Sequence, residues 1–129
     1  FLRKSVVNKV GKFDESLGVG AGTKWGSGEE TDYLLKALAN NFIIYYNVKL
    51  IVFHPQPINN YDEKTIRRAY SYGCGMGRVL KKHRYPMWFV SYLLFRSLGG
   101  VIISLITGQK EKAIYHWYVF IGRFCGWKQ

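Results

Sequence analysis

Cysteine is scarce in this 129-residue chain, which has only Cys74 and Cys125. Two cysteines without CxxC spacing argue against a disulfide scaffold and suggest neither a zinc site nor a redox pair. The start, which reads FLRK, has neither an initiator methionine nor a secretory signal peptide, so we expect the chain to begin inside a longer protein. With 48% hydrophobic residues, it has enough apolar surface to fold rather than remain disordered.

Acidic residues are almost absent from the second half of the chain. Residues 1–63 hold seven basic and seven acidic residues, whereas residues 64–129 hold twelve basic residues and one acid, Glu111. The formal net charge of +11 therefore lies entirely in the second half, which indicates an anionic partner. The asymmetry predicts two parts with different roles, which we place at residues 1–60 and 61–129.

A glycine-rich loop and a helix are predicted in the first part. Six glycines between positions 11 and 28 are too many for a regular element. Ser27 followed by Glu30 is a capping box, which predicts a helix from about Gly28 to Ala39. The buried stripe of this helix is expected at Leu34, Leu35 and Leu38.

Two runs of β-branched and aromatic residues come after the predicted helix. They are FIIYYN (42–47) and KLIVFH (49–54), separated by a turn-length break. Their composition favours two strands. A short helix is also expected earlier in the chain, over residues 5–10, with Gly11 as its end.

The second part is basic at first and then apolar. Residues 62–84 predict a helix interrupted by glycines, and the trio Gly73, Gly75 and Gly77 is expected to allow close packing. Residues 87–107 are apolar but contain Arg96, and a spanning helix needs about 20 predominantly apolar residues without a central charge. An in-plane or re-entrant amphipathic helix fits better. Residues 113–125 are a second apolar stretch, too short to span.

Three carboxylates, Glu29, Glu30 and Asp32, lie at the start of the first predicted helix. One interpretation is a helix N-terminus decorated with acids, which the helix macrodipole favours. The other is a general base presented beside a flexible loop that can approach a ligand. The residues alone leave both interpretations open.

The basic run over residues 64–84 also has two interpretations. Nucleic acid would use these charges together with interleaved tyrosines for base stacking. Anionic lipid would use the same charges beside in-plane apolar helices. The neighbouring apolar stretch over 87–107 favours lipid.

Several motifs occur in a recognisable order. GKFDESLG (11–18) and GSGEETDYLLK (26–36) come first, and FIIYYN and KLIVFHP (49–55) come next. This order resembles the C-terminal half of the catalytic domain of family 2 glycosyltransferases. RRAYSYGCGMG (67–77) and GRFCGW (122–127) are similar to the tail of bacterial members that work at the membrane.

The resemblance implies an α/β fold. Residues 1–60 would form the C-terminal, acceptor-side part of a GT-A nucleotide-diphospho-sugar transferase domain. Residues 61–129 would be a basic and apolar helical region that associates with the membrane.

The resemblance also implies a hexosyltransferase-type reaction, in which a sugar moves with inversion from a nucleotide-sugar donor to a lipid-linked or polysaccharide acceptor. Glu30 would be the general base, at a position where the family usually has Asp. Glu29 or Asp32 would orient the base or contact the acceptor. Trp25 would stack on the acceptor.

Phosphate and metal contacts are implied in the same way. Arg67 and Arg68 would neutralise diphosphate charge or touch a lipid phosphate, and His54 would approach the metal or diphosphate. The metal, Mg²⁺ or Mn²⁺, would be bound mainly by an N-terminal half that this sequence lacks. We therefore expect the isolated chain to be inactive.

The implied setting is polysaccharide biosynthesis in the bacterial cell envelope. The protein would lie at the cytoplasmic face of the inner membrane, peripheral or shallowly inserted, with no nucleic-acid partner. A non-catalytic basic adaptor that binds anionic membranes is the alternative, and a small nucleic-acid binder is a third hypothesis.

Overall fold

The computed structural model describes residues 2–53 and 60–129 and contains five helices in them. Strands are absent from these described ranges, so the predicted α/β fold, the C-terminal half of a GT-A domain, is wrong. The helices are α1 (Lys4–Val10), α2 (Glu29–Ala39), α3 (Glu63–Lys82), α4 (Met87–Ile106) and α5 (Lys110–Lys128).

The two runs predicted as strands are irregular between residues 42 and 53. A turn joins them, in which the Lys49 backbone amide donates to the Asn47 side chain at 3.0 Å. Tyr46 is 90% exposed and Phe53 is 93% exposed. Strand propensity reflects a fit to a pleated, half-buried surface, and none of the described segments pairs with these runs. His54 lies outside the described residues.

Glycines let α3 and α5 approach closely, side by side and in the same direction. A Cβ atom at Gly122 of α5 would meet the carbonyl oxygen of Tyr70, and one at Gly126 would meet the Cys74 backbone. Gly73 and Gly77 of α3 face α5 in the same way. The expected close packing is confirmed for these two members of the trio, but the expected interruption is wrong, since α3 is continuous from Glu63 to Lys82.

Helix α4 runs antiparallel to α5. The Arg123 guanidinium of α5 donates to the Leu93 carbonyl oxygen at 2.8 Å and to the Ser97 hydroxyl at 2.6 Å. Gly100 of α4 lies against the His116 ring, which a Cβ atom would overlap. Helix α5 therefore packs on both α3 and α4.

The outer face of α4 is apolar and exposed. In the part of the chain that the structure describes, α4 is the one helix whose length and composition would suffice to cross a membrane. Only 17% of an 18-residue apolar segment of α4 is buried within the protein. The exposed side chains include Met87, Trp88, Tyr92, Phe95, Ile102, Ile103, Leu105 and Ile106.

Helix α2 forms where the sequence predicts it, but its start and its buried face differ from the prediction. Gly28, at a φ of 99°, precedes its first turn, and the Ser27 hydroxyl donates to the Tyr72 carbonyl oxygen at 2.9 Å instead of capping the helix. The buried residues are Asp32, Tyr33 and Ala37. The predicted leucine stripe is wrong in this respect, because Leu34 and Leu38 are 40% and 48% exposed.

We predict opposite effects on stability for two glycine-to-alanine changes. Gly122→Ala should destabilise the protein by about 1–3 kcal/mol, because its methyl group collides with the α3 backbone. Gly99→Ala, with no atom within 4 Å of its Cβ position, should stabilise α4 by roughly 0.5–1 kcal/mol. Thermal unfolding in detergent micelles, followed by circular dichroism, measures both. Equal effects would contradict this account of the α3–α5 contact.

Candidate functional site

The Asp32 carboxylate is completely buried and lies among basic side chains. Lys36 Nζ lies 2.7 Å from its Oδ2, and His83 Nε2 lies 2.8 Å from its Oδ1. Lys82 Nζ lies 2.9 Å from Oδ1 and 3.0 Å from Oδ2. The same lysine nitrogen lies 2.5 Å from Oδ2 of Asp14. We call Asp14, Asp32, Lys36, Lys82 and His83 the Asp32 cluster, which joins the glycine-rich loop, α2 and the end of α3.

The contacts within the Asp32 cluster stabilise its charged forms. Burial acts to raise the pKa of Asp32, but hydrogen bonds from Lys36, Lys82 and His83 outweigh it and lower this pKa below its ordinary 3.8. The hydrogen bond from Lys82 holds the pKa of Asp14 well below its usual range. Burial acts to lower the pKa of Lys82, but hydrogen bonds from both aspartates raise it above 10.5.

The structure separates the three acids that the sequence places together. Asp32 points into its cluster, whereas Glu30 is exposed in the first turn of α2. Glu29 is half-buried with its carboxylate against Gly18, and its buried Oε2 has no hydrogen-bond partner within residues 2–53 and 60–129. Two carboxylates therefore remain beside the glycine-rich loop without an ion pair to any described residue.

Trp25 lies on the same loop and is half-buried. The Arg78 guanidinium of α3 lies 4.9 Å from the centre of its ring, which is a cation–π contact. This arginine covers one face of the indole. A planar or sugar ligand would therefore have to stack on the other face.

A groove of about 290 Å³ separates the glycine-rich loop from the first half of α3. Arg67 and Arg68 line it together with Ser71 and Tyr72 of α3, and Gly18, Val19, Gly20, Thr23 and Gly26 line it from the loop. The structure therefore brings the two arginines predicted to bind phosphate to the same place as the glycines. Arg67 also lies 2.5 Å from Glu63, with both side chains exposed, whereas Arg68 pairs with no acid in the described chain.

Sequence reasoning missed four members of the Asp32 cluster. Asp32 and Lys36 are four residues apart on one helix, a spacing that does indicate an ion pair. Asp14, Lys82 and His83 are distant from Asp32 in sequence, and only the packing of α2 on α3 brings them together. The sequence contains no local signal for that contact.

The described residues do not match the predicted metal site. Within 2–53 and 60–129, no group of three or more His, Cys, Asp or Glu side chains could hold a metal ion. Lysines already occupy the oxygens of Asp14 and Asp32. His54, the predicted metal contact, is outside the described ranges. We therefore derive no step through Mg²⁺ or Mn²⁺.

Comparison with family models, curated proteins and solved structures finds no significant match for this chain. The resemblance to family 2 glycosyltransferases is therefore untested and stays a prediction. The function of the chain has to be inferred from its residues and their geometry.

We predict that Asp32→Asn destabilises the protein by about 2 kcal/mol or more at pH 7. Breaking a buried ion pair costs about 3–5 kcal/mol, and we reduce this figure because Lys36 and Lys82 are 28% and 29% exposed and can regain water. A carboxylate with a lowered folded pKa contributes stability above its unfolded pKa. That contribution is lost as the pH falls below about 3.8 towards the folded pKa.

Urea unfolding between pH 7 and pH 3 measures both effects in detergent micelles. The difference between the native chain and Asp32→Asn should be largest near neutral pH and should shrink below about pH 3.8. Glu30→Gln, an exposed acid on the same helix, is the matched control and should change stability by less than about 0.5 kcal/mol. A pH-independent difference would contradict the buried ion pair.

Proposed function

We propose that this chain contributes the acceptor side of a glycosyltransferase that works at a membrane surface. The reaction is transfer of a sugar, with inversion, from a nucleotide-sugar donor to a lipid-linked or polysaccharide acceptor. One observation carries the proposal: Glu29 and Glu30 remain without an ion pair to any described residue at the start of α2, and the Glu29 carboxylate lies against Gly18, which lines a groove together with Arg67 and Arg68. Such an arrangement suits an acceptor that has both a hydroxyl group and a negative charge.

Glu30 is the proposed general base because its side chain is exposed at the start of α2. Its carboxylate would accept the proton of an acceptor hydroxyl while the oxygen attacks the anomeric carbon. The bond from that carbon to the diphosphate oxygen breaks, and its electron pair leaves with the nucleoside diphosphate. Attack from the opposite side inverts the anomeric configuration. Donor binding is proposed to lie outside the described residues.

The Asp32 cluster would position this base. Asp32 lies two residues after Glu30, so its contacts with Lys82 and His83 fix the first turn of α2 against the C-terminal end of α3. Displacing a catalytic group by about 1 Å can cost about a hundredfold in rate. We therefore propose that Asp32 is a positioning residue, since its own oxygens are already occupied.

Glu29 and Trp25 would contact the acceptor. The Glu29 carboxylate lies against Gly18, a residue of the groove lining, and would accept a hydrogen bond from an acceptor hydroxyl there. The Trp25 face opposite Arg78 would stack on a sugar ring.

Helix α4 supports association with an anionic membrane. Its exposed side chains Trp88, Phe95 and Ile106 form part of an apolar surface, and Arg96 is exposed halfway along the helix. A charge at this position favours a helix lying in the plane of the interface rather than across the bilayer. We propose that the protein lies peripherally or shallowly inserted at the cytoplasmic face of the bacterial inner membrane.

We predict that Glu30→Gln lowers transfer about 10²- to 10⁴-fold, because glutamine has the same shape but cannot accept the proton. The assay follows labelled nucleotide sugars in membranes from cells that express the natural gene product. Glu111→Gln is the matched control, since Glu111 is also an exposed first-turn glutamate, on α5. Its transfer rate should be unchanged.

The same transfer assay tests separately which residue is the general base and whether the protein is a glycosyltransferase. Transfer that survives Glu30→Gln but is lost in Glu29→Gln would move the base to Glu29. If none of the labelled donors supports transfer in the unmodified protein, the glycosyltransferase proposal fails.

A second candidate function is a non-catalytic basic adaptor that binds anionic membranes. The exposed apolar face of α4 favours it, because this face needs a partner whether or not the chain takes part in catalysis. The acids at the start of α2 would then only cap a helix. If no transfer is detected with any donor and Glu30→Gln still binds anionic membranes normally, this candidate is favoured.

We predict that Phe95→Asp weakens binding to anionic vesicles by about tenfold or more. Burying a phenylalanine side chain contributes about 1.5–3 kcal/mol, and Phe95 is 69% exposed and free to enter the bilayer. Leu38→Asp, at an exposed leucine on α2, is the control and should bind normally. Cosedimentation with the vesicles measures both. Equal binding by both variants would show that α4 is not the membrane face.

A further inference from the structure

We propose that the groove between the glycine-rich loop and α3 is a binding site for the phosphate group of a phosphate ester or diphosphate. The inference rests on the proposed function only for the identity of the molecule that contains this phosphate. Binding itself needs neither a donor nor a transfer reaction. The groove has a volume of about 290 Å³, close to the lower limit for small-ligand sites.

Two arginines supply the positive charge of the groove. Arg67 and Arg68 are consecutive on α3, and both line the groove. Arg68 has no acidic partner in the part of the chain that the structure describes, and Arg67 shares an exposed ion pair with Glu63 that a stronger anion can replace. Guanidinium groups bind phosphate oxygens with two parallel hydrogen bonds, which makes arginine well suited to this ligand.

Two backbone amides of the loop on the opposite wall are free to serve as further donors. Gly18 and Gly20 have φ values of 100° and 90°, so the loop takes a path that side-chain-bearing residues rarely adopt. The N–H groups of Val19 and Gly20 donate no hydrogen bond to a described acceptor. Unused amides in successive residues form concave sites for anions.

The serine and threonine hydroxyl groups of the groove already donate hydrogen bonds. Thr23 donates to the Ser16 carbonyl oxygen at 2.6 Å, and Ser71 donates to the Lys24 carbonyl oxygen at 3.1 Å. The remaining donors are therefore the arginines, the Tyr72 hydroxyl and the loop amides, and the two positive charges among them favour an anionic ligand over a neutral sugar. The Glu29 carboxylate behind Gly18 would repel a phosphate but could accept a hydrogen bond from a hydroxyl on the same ligand.

The phosphate could belong to a lipid headgroup or to a soluble compound. Both present the same oxygens to the arginines, so the groove alone does not distinguish them. The exposed apolar face of α4 makes the lipid source testable in the same protein.

The test compares Arg68→Gln with Lys64→Gln in the 129-residue chain. Both changes remove one positive charge from exposed positions of α3, but Lys64 does not line the groove. Inorganic pyrophosphate is the soluble probe, titrated calorimetrically in detergent micelles. Arg68→Gln should weaken its binding about tenfold or more, because glutamine has neither the charge nor the two parallel N–H donors of a guanidinium group. Lys64→Gln should change it by less than about twofold.

The outcomes distinguish a specific phosphate site from nonspecific electrostatic attraction to the basic helix. The proposal would be overturned if both variants lost the same affinity for pyrophosphate, or if the unmodified chain did not bind pyrophosphate. A second arm uses phosphatidylcholine vesicles with and without phosphatidic acid. Suppose that Arg68→Gln alone weakens pyrophosphate binding. If it also weakens binding to the vesicles that contain phosphatidic acid, the phosphate belongs to a lipid. If its binding to these vesicles is unchanged, the phosphate belongs to a soluble compound. Lost transfer in Glu30→Gln has no bearing on this measurement.

Discussion

The buried carboxylate of Asp32 holds the first part of the chain onto the second. Its partners Lys82 and His83 belong to α3 and its C-terminal end, and Asp14 reaches the same lysine from the glycine-rich loop. A buried charge is tolerated only when it is paired, so α2, the loop and the end of α3 must come together as one unit. The acids at the start of α2 adjoin that unit, and hydrogen bonds from Ser27 and Ser71 also hold the loop against the first half of α3, where the groove lies.

The contact between α3 and α5 has a different basis, because glycines without side chains allow the two helices to lie close together. Gly73, Gly77, Gly122 and Gly126 remove the Cβ atoms that would keep α3 and α5 apart. Close packing of this kind leaves the other faces of the helices available. Helix α3 uses another face for the loop, where Gly75 lies against the Ser27 backbone, and α5 uses another for α4.

The helices could be predicted from the sequence because their signals are local. Gly11 marks the end of α1, and Asn41, at a φ of 62°, lies in the left-handed conformation just after α2. The α/β fold was predicted wrongly because residues 42–53 have strand composition, but strands also need a neighbouring edge. The buried face of α2 was missed because a leucine stripe is the usual core signal, whereas here an aspartate is buried by partners distant in sequence. The two arginines were predicted as phosphate contacts, which stays a prediction, and their position opposite the loop is a property of the fold.

The central position of α5 has a consequence for the order of folding during synthesis. Helices α3 and α4 precede α5 in the chain, yet each finds its main helical neighbour in α5. Until α5 has been made, the glycine face of α3 and the inner face of α4 stay uncovered. At about 5–20 residues per second, this interval lasts roughly a few seconds. A membrane surface near the site of synthesis would shelter the apolar side of α4 in that time, so bilayer contact could precede the final packing of the helices.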